Sequence, residues 1–149
     1  MNKKENVLIS ACFMGAGCRY DGKSIHLDRL DELKEKYNLI PICPELLGGL
    51  GTPRRPAEKV GDKVINKEGQ DVTTYFQRGA EKALKIAKMY DCKYAILKEK
   101  SPSCGIGKIY DGTFSGTLVE GNGITAELLM KNGISVIGES QIGKLLNCK

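Results

Sequence analysis

Four short apolar runs, separated by longer amphipathic segments, set the pattern of this chain. They cover positions 6–11, 39–42, 93–97 and 134–137. Apolar runs of this length are typical of strands that are covered on both faces, as in a parallel sheet. Pro41 weakens the second run, because proline has no N–H for the ladder and prefers strand starts and edges. The runs therefore predict four strands.

Helical periodicity falls between these runs. The clearest helix is predicted over 72–90, with Asp71 as its N-cap. Its apolar stripe consists of Val72, Phe76, Ala80, Ala83, Leu84 and Ala87. Another helix is predicted to begin near Asp28, and a third to cover 123–132, closed by Gly133. Strands that alternate with helices predict an α/β fold, a single three-layer sandwich with a mostly parallel, Rossmann-like sheet.

Two segments rich in glycine interrupt this alternation. Positions 43–58 hold three glycines and three prolines, so we expect a long loop there, of the kind that is usually functional or disordered. Positions 63–66 predict a small strand or hairpin arm. Positions 105–123 carry six glycines and predict a loop with one short hairpin. Neither segment resembles a linker, and we expect one domain over residues 1–149.

Composition and charge exclude several classes of protein. The chain is 41% hydrophobic and 28% charged, which is ordinary for a soluble globular protein. It has neither an apolar run of about 18 residues nor a signal peptide, so we expect no membrane span and a cytoplasmic location. The net charge of +5 is scattered, without a basic arm or stripe. We therefore expect no nucleic-acid polymer as partner, whereas a small anion such as a nucleotide suits the charge.

The candidate chemistry lies in the six cysteines. Thiols stay reduced in the cytoplasm, so metal ligation or reactivity is a better interpretation than disulfides. Cys12, Cys43 and Cys104 each follow the end of a predicted strand, beside a loop glycine or proline. The carboxyl ends of parallel strands lie along one edge of a sheet, and the ligand crevice forms there. We therefore expect these three thiols to converge, although burial as small apolar residues is the alternative for any one of them.

The other cysteines are less informative. Cys92 precedes a predicted strand and belongs at the opposite edge, and Cys148 is next to the last residue. Three roles fit Cys18: a fourth metal ligand, a thiol next to the ligands, or a residue that packs within its loop. The chain has no Cys-x-x-Cys pair, so zinc ribbons and thioredoxin-like motifs lack support. Thiolates from three separate loops suit zinc or an iron–sulfur cluster, and the residues leave that choice open.

Five motifs in order carry a family resemblance. They are Cys12 with Cys18-Arg19-Tyr20-Asp21-Gly22; Cys43-Pro44-Glu45; Gly48-Gly49-Leu50 with Pro53-Arg54 and Pro56-Ala57-Glu58; Ser101-Pro102-Ser103-Cys104-Gly105; and Tyr110-Asp111-Gly112-Thr113-Phe114. Over positions 7–137 the chain resembles the thiouracil desulfidase family, which was long catalogued as a domain of unknown function.

The resemblance implies a non-redox [4Fe–4S] enzyme that removes sulfur from thiouracil-type bases, nucleosides or nucleoside monophosphates, such as 4-thiouridine monophosphate. The products would be sulfide and the oxygenated base. It further implies that Cys12, Cys43 and Cys104 hold the cluster, that the fourth iron binds the substrate sulfur, and that Glu45 and Ser101 are the catalytic pair.

The side-chain chemistry of Glu45 and Ser101 agrees with these roles. Glu45, two residues from Cys43, is placed to act as a general acid or base, and Ser101 to relay a proton or hold the substrate. The alternatives are a solvated loop carboxylate for Glu45 and a turn-forming serine for Ser101.

Further candidates concern substrate binding. Lys108, in the glycine-rich segment, and Ser103 are candidates to hold the substrate, with backbone N–H groups of that segment binding a phosphate or ribose. Phe13 is a candidate to stack on a base. The alternative for Lys108 is a solvated surface lysine, and the alternative for Phe13 is an aromatic side chain that packs in the interior.

Two other functions fit the same residues. One is a zinc-binding structural or regulatory module, in which Cys18 completes a Cys₄ site. The other is a nucleotide-binding protein without catalysis. The sequence leaves the oligomeric state open, with a dimer among the options.

Overall fold

A parallel sheet of four strands, with helices on both faces, forms the centre of the structure. The computed structural model describes residues 4–15, 21–22 and 26–146. The strands in this part are β1 (Glu5–Ser10), β2 (Tyr37–Ile42), β3 (Ala57–Val60), β4 (Lys63–Asn66), β5 (Tyr94–Leu97), β6 (Lys108–Tyr110), β7 (Leu118–Glu120) and β8 (Ser135–Gly138). The helices are α1 (Leu30–Lys36), α2 (Pro44–Leu47), α3 (Thr73–Met89), α4 (Ile124–Lys131) and α5 (Gly143–Leu146), with 3-10 turns at Ala11–Met14 and Glu139–Gln141. None of the helices in these residues has the length and apolar character needed to cross a membrane.

The order of the central sheet is β2-β1-β5-β8, and every neighbouring pair is parallel. The chain leaves β1 for β2 on one side and returns to β5 on the other. The strand order therefore reverses between β1 and β5, which is where open α/β sheets form their ligand crevice. Two antiparallel hairpins, β3–β4 and β6–β7, lie outside this sheet.

Alternate residues of the central strands pack on opposite faces. Leu8 and Ala95 join the cluster that contains Ala83 of α3 and Leu129 of α4. The next residue of β1, Ile9, joins the cluster that contains residues of α1 and α5. The predicted three-layer α/β sandwich with a parallel sheet is confirmed.

The predicted boundaries agree closely for the sheet and less well for the loops. Pro41 lies in β2, an edge strand, where its missing N–H costs no ladder bond on the outer side. Asp71 is not the N-cap of α3, because Val72 occupies that position. The Asp71 carboxylate instead accepts bonds from the N–H and hydroxyl of Thr73, at 2.9 and 2.5 Å. The long loop expected over 43–58 has no regular element over most of its length, as predicted, but it contains the short helix α2 and the start of β3.

A contact between backbones holds α2 against α3. A Cβ at Gly79 would lie 1.8 Å from the carbonyl oxygen of Pro44, and a Cβ at Gly48 would lie 1.9 Å from that of Tyr75. Only glycine permits such an approach at these two positions. Because Pro44 stands between Cys43 and Glu45, this contact also fixes the position of both neighbours.

We predict that Gly79→Ala destabilises the fold by about 1–3 kcal/mol, the usual cost of overpacking. The measurement is urea denaturation of the wild type and the variant. Gly51→Ala is the matched control, because a Cβ there meets no atom within 4 Å. Equal midpoints for Gly79→Ala and the wild type would contradict the tight contact.

Candidate functional site

A cleft of about 890 Å³ lies over the carboxyl ends of β1, β2 and β5. Cys12, Cys43, Cys104, Glu45 and Ser101 all line it. Its remaining walls come from the β3–β4 hairpin, the start of α3 and the segment 110–116. The structure thus brings together the three cysteines and both candidate catalytic residues, which are distant in sequence.

Each cysteine lies in or directly beside a short turn or helix that follows a strand. Cys12 is the second residue of the 3-10 turn after β1 and is 6% exposed. Cys43 is half-buried and forms the N-terminal boundary of α2. Cys104 is 5% exposed and lies in the loop after β5. All three side chains are therefore shielded from bulk water while they border the cleft.

The N-terminus of α4 fixes the loop that carries the third cysteine. The N–H of Ile124 donates to the carbonyl of Pro102 at 2.9 Å, and the N–H of Thr125 to the carbonyl of Ser103 at 2.8 Å. These donors have no partner within the helix, so the loop carbonyls satisfy them. Gly123 permits the approach, since a Cβ there would lie 2.3 Å from the carbonyl carbon of Ser103.

The thiols interact electrostatically with one another. Burial, with a smaller contribution from Cys43, raises the pKa of Cys12 to about 11, although Lys98 opposes the shift. Burial raises the pKa of Cys104 well above its usual range, and the charges of Glu45, Cys43 and Cys12 add to this. As free groups these two thiols stay protonated at neutral pH. A metal that binds them as thiolates displaces their protons.

The donor set fits an iron–sulfur cluster. Three sulfur ligands from separate loops suit soft metals and iron–sulfur clusters. Among residues 4–15, 21–22 and 26–146, no three His, Cys, Asp or Glu side chains are close enough together to hold one metal ion. Cys18, the candidate fourth ligand of a zinc site, lies outside the described residues.

Glu45 is held by an arginine that the sequence analysis did not assign to the site. Arg54 donates to Oε2 of Glu45 through Nε at 2.7 Å, and its Nη2 lies 2.6 Å from the same oxygen. The two side chains are 10% and 18% exposed, Arg54 being the more buried. In the part of the chain that the structure describes, Oε1 receives no hydrogen bond. The carboxylate is therefore paired and shielded, not solvated, and its second oxygen is available to a ligand.

Ser101 forms a turn and also borders the cleft. Its Oγ accepts hydrogen bonds from the N–H groups of Ser103 and Cys104, both at 3.1 Å. A hydroxyl has two acceptor lone pairs and one donor hydrogen. Because both lone pairs are engaged by the backbone, the hydroxyl hydrogen is the part of Ser101 left to interact with a ligand.

The structure places the other predicted binding residues away from the cleft. Ser103 is fully buried, with its Oγ 2.7 Å from Oγ1 of Thr125. Phe13 packs in the core beneath the sheet, and Lys108 is exposed on β6. None of the three belongs to the described lining of the cleft. Apolar burial explains Phe13, and the docking of its loop on α4 turns Ser103 inward.

Lys98 is a cleft residue that the sequence analysis missed. It directly follows β5 and lies along the cleft. Its Nζ is 3.2 Å from Oε2 of Glu139, and its charge lowers the pKa of Cys12 against the effect of burial. The rule that selected the cysteines, position just beyond a strand, also identifies this lysine. Arg54 offers no such signal, because only the folded loop brings it to Glu45.

Comparisons with known proteins agree with this geometry. The family model for 2-thiouracil desulfurase matches residues 7–141. YbbK of Bacillus subtilis (strain 168), an uncharacterized protein, is 41% identical in an alignment of 150 positions that covers 94% of this chain and 99% of that protein. The solved structure of TudS, a [4Fe–4S]-dependent thiouracil desulfidase, is 46% identical, covers 95% of each chain and superposes with a TM-score of 0.90. These matches confirm the resemblance carried by the five motifs: the chain belongs to the 2-thiouracil desulfurase family.

Proposed function

We propose that this protein is a [4Fe–4S]-dependent desulfidase that converts thiouracil-type compounds into their oxygenated forms and sulfide. The observation that carries the proposal is the meeting of Cys12, Cys43 and Cys104 with Glu45 and Ser101 in one cleft. Family membership and the likeness to a [4Fe–4S]-dependent thiouracil desulfidase support it.

Cys12, Cys43 and Cys104 would hold the cluster, and three protein ligands leave one of its irons free for a substrate atom. When bound, the cluster supplies a Lewis acid that polarises the C–S bond of a thiocarbonyl. Hydrolysis of that bond consumes one water, forms C–O, and releases sulfide without net oxidation or reduction.

Glu45 is the proposed general base. Its Oε2 is engaged by Arg54, while Oε1 can accept the proton of the water that adds to the ring carbon. A positioned base of this kind contributes about 10²–10⁴-fold in rate. The proton that Glu45 takes up can then pass to the departing sulfide, which restores the carboxylate.

Ser101 is the proposed hydrogen-bond donor to the substrate. Its oxygen accepts hydrogen bonds from two backbone N–H groups, which fix its position. Because both lone pairs are engaged, the hydroxyl hydrogen is free to donate to a ligand. Donation to a ring heteroatom beside the reacting carbon would hold the base in place and stabilise charge that develops there.

We infer that the substrate is a thiouracil base, its nucleoside or its monophosphate, such as 4-thiouridine monophosphate. A cleft of about 890 Å³ lies within the usual range for small-molecule sites and is larger than a bare pyrimidine requires. Lys98 and Lys100 line it and would favour an anionic substrate.

Anaerobic reconstitution followed by a sulfide-release assay tests the proposed function. We expect iron and sulfide in the ratio of a [4Fe–4S] cluster, and sulfide release from 2-thiouracil, 4-thiouridine or its monophosphate. A colourless protein with stoichiometric zinc would contradict the proposal and favour a zinc-binding module. A loaded protein that binds nucleotides but releases no sulfide would favour a binding protein.

The cluster assignment predicts the effect of single cysteine variants. Cys12→Ala, Cys43→Ala and Cys104→Ala should each lose the intact cluster, because each removes one of three ligands. Iron content and visible absorbance after reconstitution measure this. Cys92→Ala is the matched control, since Cys92 is buried in the core before β5 and should leave the cluster content unchanged. A full cluster in any of the first three variants would remove that cysteine from the ligand set.

The roles of Glu45 and Arg54 predict kinetic losses without loss of the cluster. Glu45→Gln should lower kcat by about 10²–10⁴-fold, because it removes the base. Arg54→Gln should lower kcat by about 10²-fold through misplacement of the carboxylate. Arg29→Gln is the control, since it breaks a comparable arginine–glutamate pair on the exposed surface, with Glu32. Wild-type kcat in Glu45→Gln would exclude it from the mechanism.

A further inference from the structure

The segment 110–116 forms a wall of the cleft, but none of the proposed steps uses it. Tyr110, Phe114 and Gly116 line the cleft, and the segment contains the motif from Tyr110 to Phe114. Thiouracil is a flat heteroaromatic ring, and the roles assigned so far concern the thiocarbonyl group, the water that adds to its carbon, and a ring heteroatom. A side chain that contacts the ring face is therefore still unassigned.

Phe114 has an unusual backbone conformation for a bulky residue. Its φ is 57°, in the left-handed region that side chains with a Cβ rarely adopt. Such conformations persist only where the surroundings enforce them, and they concentrate at ligand clamps and active sites. The side chain is half-buried and borders the cleft.

Glu58 enforces this conformation from the neighbouring hairpin. It lies in β3, is 8% exposed, and its Oε1 accepts the N–H of Gly112 at 2.9 Å and the N–H of Phe114 at 3.1 Å. A Cβ at Gly112 would lie 2.4 Å from Cγ2 of Val60, so the two hairpins are in direct contact there. One oxygen of a buried carboxylate thus accepts two hydrogen bonds from the backbone that carries Phe114, and these bonds hold the backbone in place.

The other phenylalanine and the tyrosine of α3 at the cleft are less suited to this contact. Phe76 is almost fully buried, so its ring is engaged by the interior. Tyr75 is 40% exposed, and the guanidinium of Arg78 lies 5.8 Å from its ring centroid. Tyr110 is half-buried at the end of β6 and also lines the cleft, but Phe114 differs from it in the left-handed backbone conformation, with its N–H bonded to Glu58.

We propose that Phe114 binds the face of the substrate ring and selects planar aromatic rings over saturated ones. Glu58 is a positioning residue that acts through Phe114. This assignment rests on the proposed function, because it takes a thiouracil-type ring as the ligand. Base–aromatic stacking is strong enough to change affinity by about tenfold or more, and an offset aromatic contact fits a flat pyrimidine.

The test compares two ligands on the reconstituted holoenzyme. One is 2-thiouracil, measured by its KM. The other is 5,6-dihydro-2-thiouracil, which keeps the thiocarbonyl but has a puckered, non-aromatic ring, measured by its Ki against 2-thiouracil. Phe114→Leu should raise the KM by about tenfold, change the Ki much less, and leave cluster content unchanged. Phe114→Tyr, which keeps the ring, should preserve both constants and their ratio.

A double variant tests the role of Glu58. Glu58→Ala should raise the KM for 2-thiouracil, and Glu58→Ala/Phe114→Leu should bind no more weakly than Phe114→Leu alone, since both act on one contact. Glu32→Ala is the matched control, because Glu32 lies on α1, pairs with Arg29 and is not among the residues that line the cleft. Its KM should equal that of the wild type.

The outcomes separate the two proposals. If the wild type releases sulfide but Phe114→Leu keeps the wild-type ratio of Ki to KM, the ring contact is overturned and the proposed function stands. No sulfide release by the loaded wild type would overturn the proposed function and the ring contact with it. If Phe114→Leu fails to fold, the Ki to KM ratio of Glu58→Ala decides, and a ratio equal to that of the wild type overturns the assignment.

Discussion

The parallel pairing of β1 with both β2 and β5 is the constraint on which the site depends. It sends the carboxyl ends of three strands to one edge, so the residues that follow them face a common space. The order of the sheet reverses between β1 and β5, which leaves a crevice there instead of a crossing connection. Cys12 and Cys104 flank that crevice, and Cys43 approaches from β2. No local feature of the three loops would bring these thiols together without the sheet.

Close contacts between backbones turn this common edge into a defined site. Gly79 brings α3 against Pro44, which fixes the chain on either side of it, and Gly123 brings α4 against the loop of the third cysteine. In both places a helix of the sandwich supports a loop, and the contact leaves no room for a Cβ. The rigidity of the scaffold is thereby transmitted to residues that lie outside any strand.

The electrostatics of the cleft divide its residues into two groups. Cys12 and Cys104 lie in a poorly solvated environment that raises the pKa of both thiols, so their conversion to thiolates depends on what they bind. Glu45 and Lys98 instead have partners of opposite charge, Arg54 and Glu139. The charged residues are therefore held in place before any ligand arrives, which is the arrangement expected of a pre-organised catalytic site.

The sequence by itself determined the elements and the candidates. Apolar runs and helical periodicity are local properties, so they located the four strands of the sheet and α3 to within a few residues. Position beyond a strand selected the three cysteines. The motif around Cys43 drew attention to Glu45 through the family resemblance, and the resemblance also pointed to Ser101.

Only the tertiary structure decided how the side chains are used. Arg54 reaches Glu45 through a folded loop, and α2, whose own sequence lacks a helical stripe, rests on α3 where two glycines allow the backbones to approach. Ser103 and Phe13, both candidates for substrate binding, are buried and are not among the residues that line the cleft. Periodicity encodes which face of an element is buried, but a loop residue has no period. Its orientation is set by contacts with parts of the chain that only folding brings near.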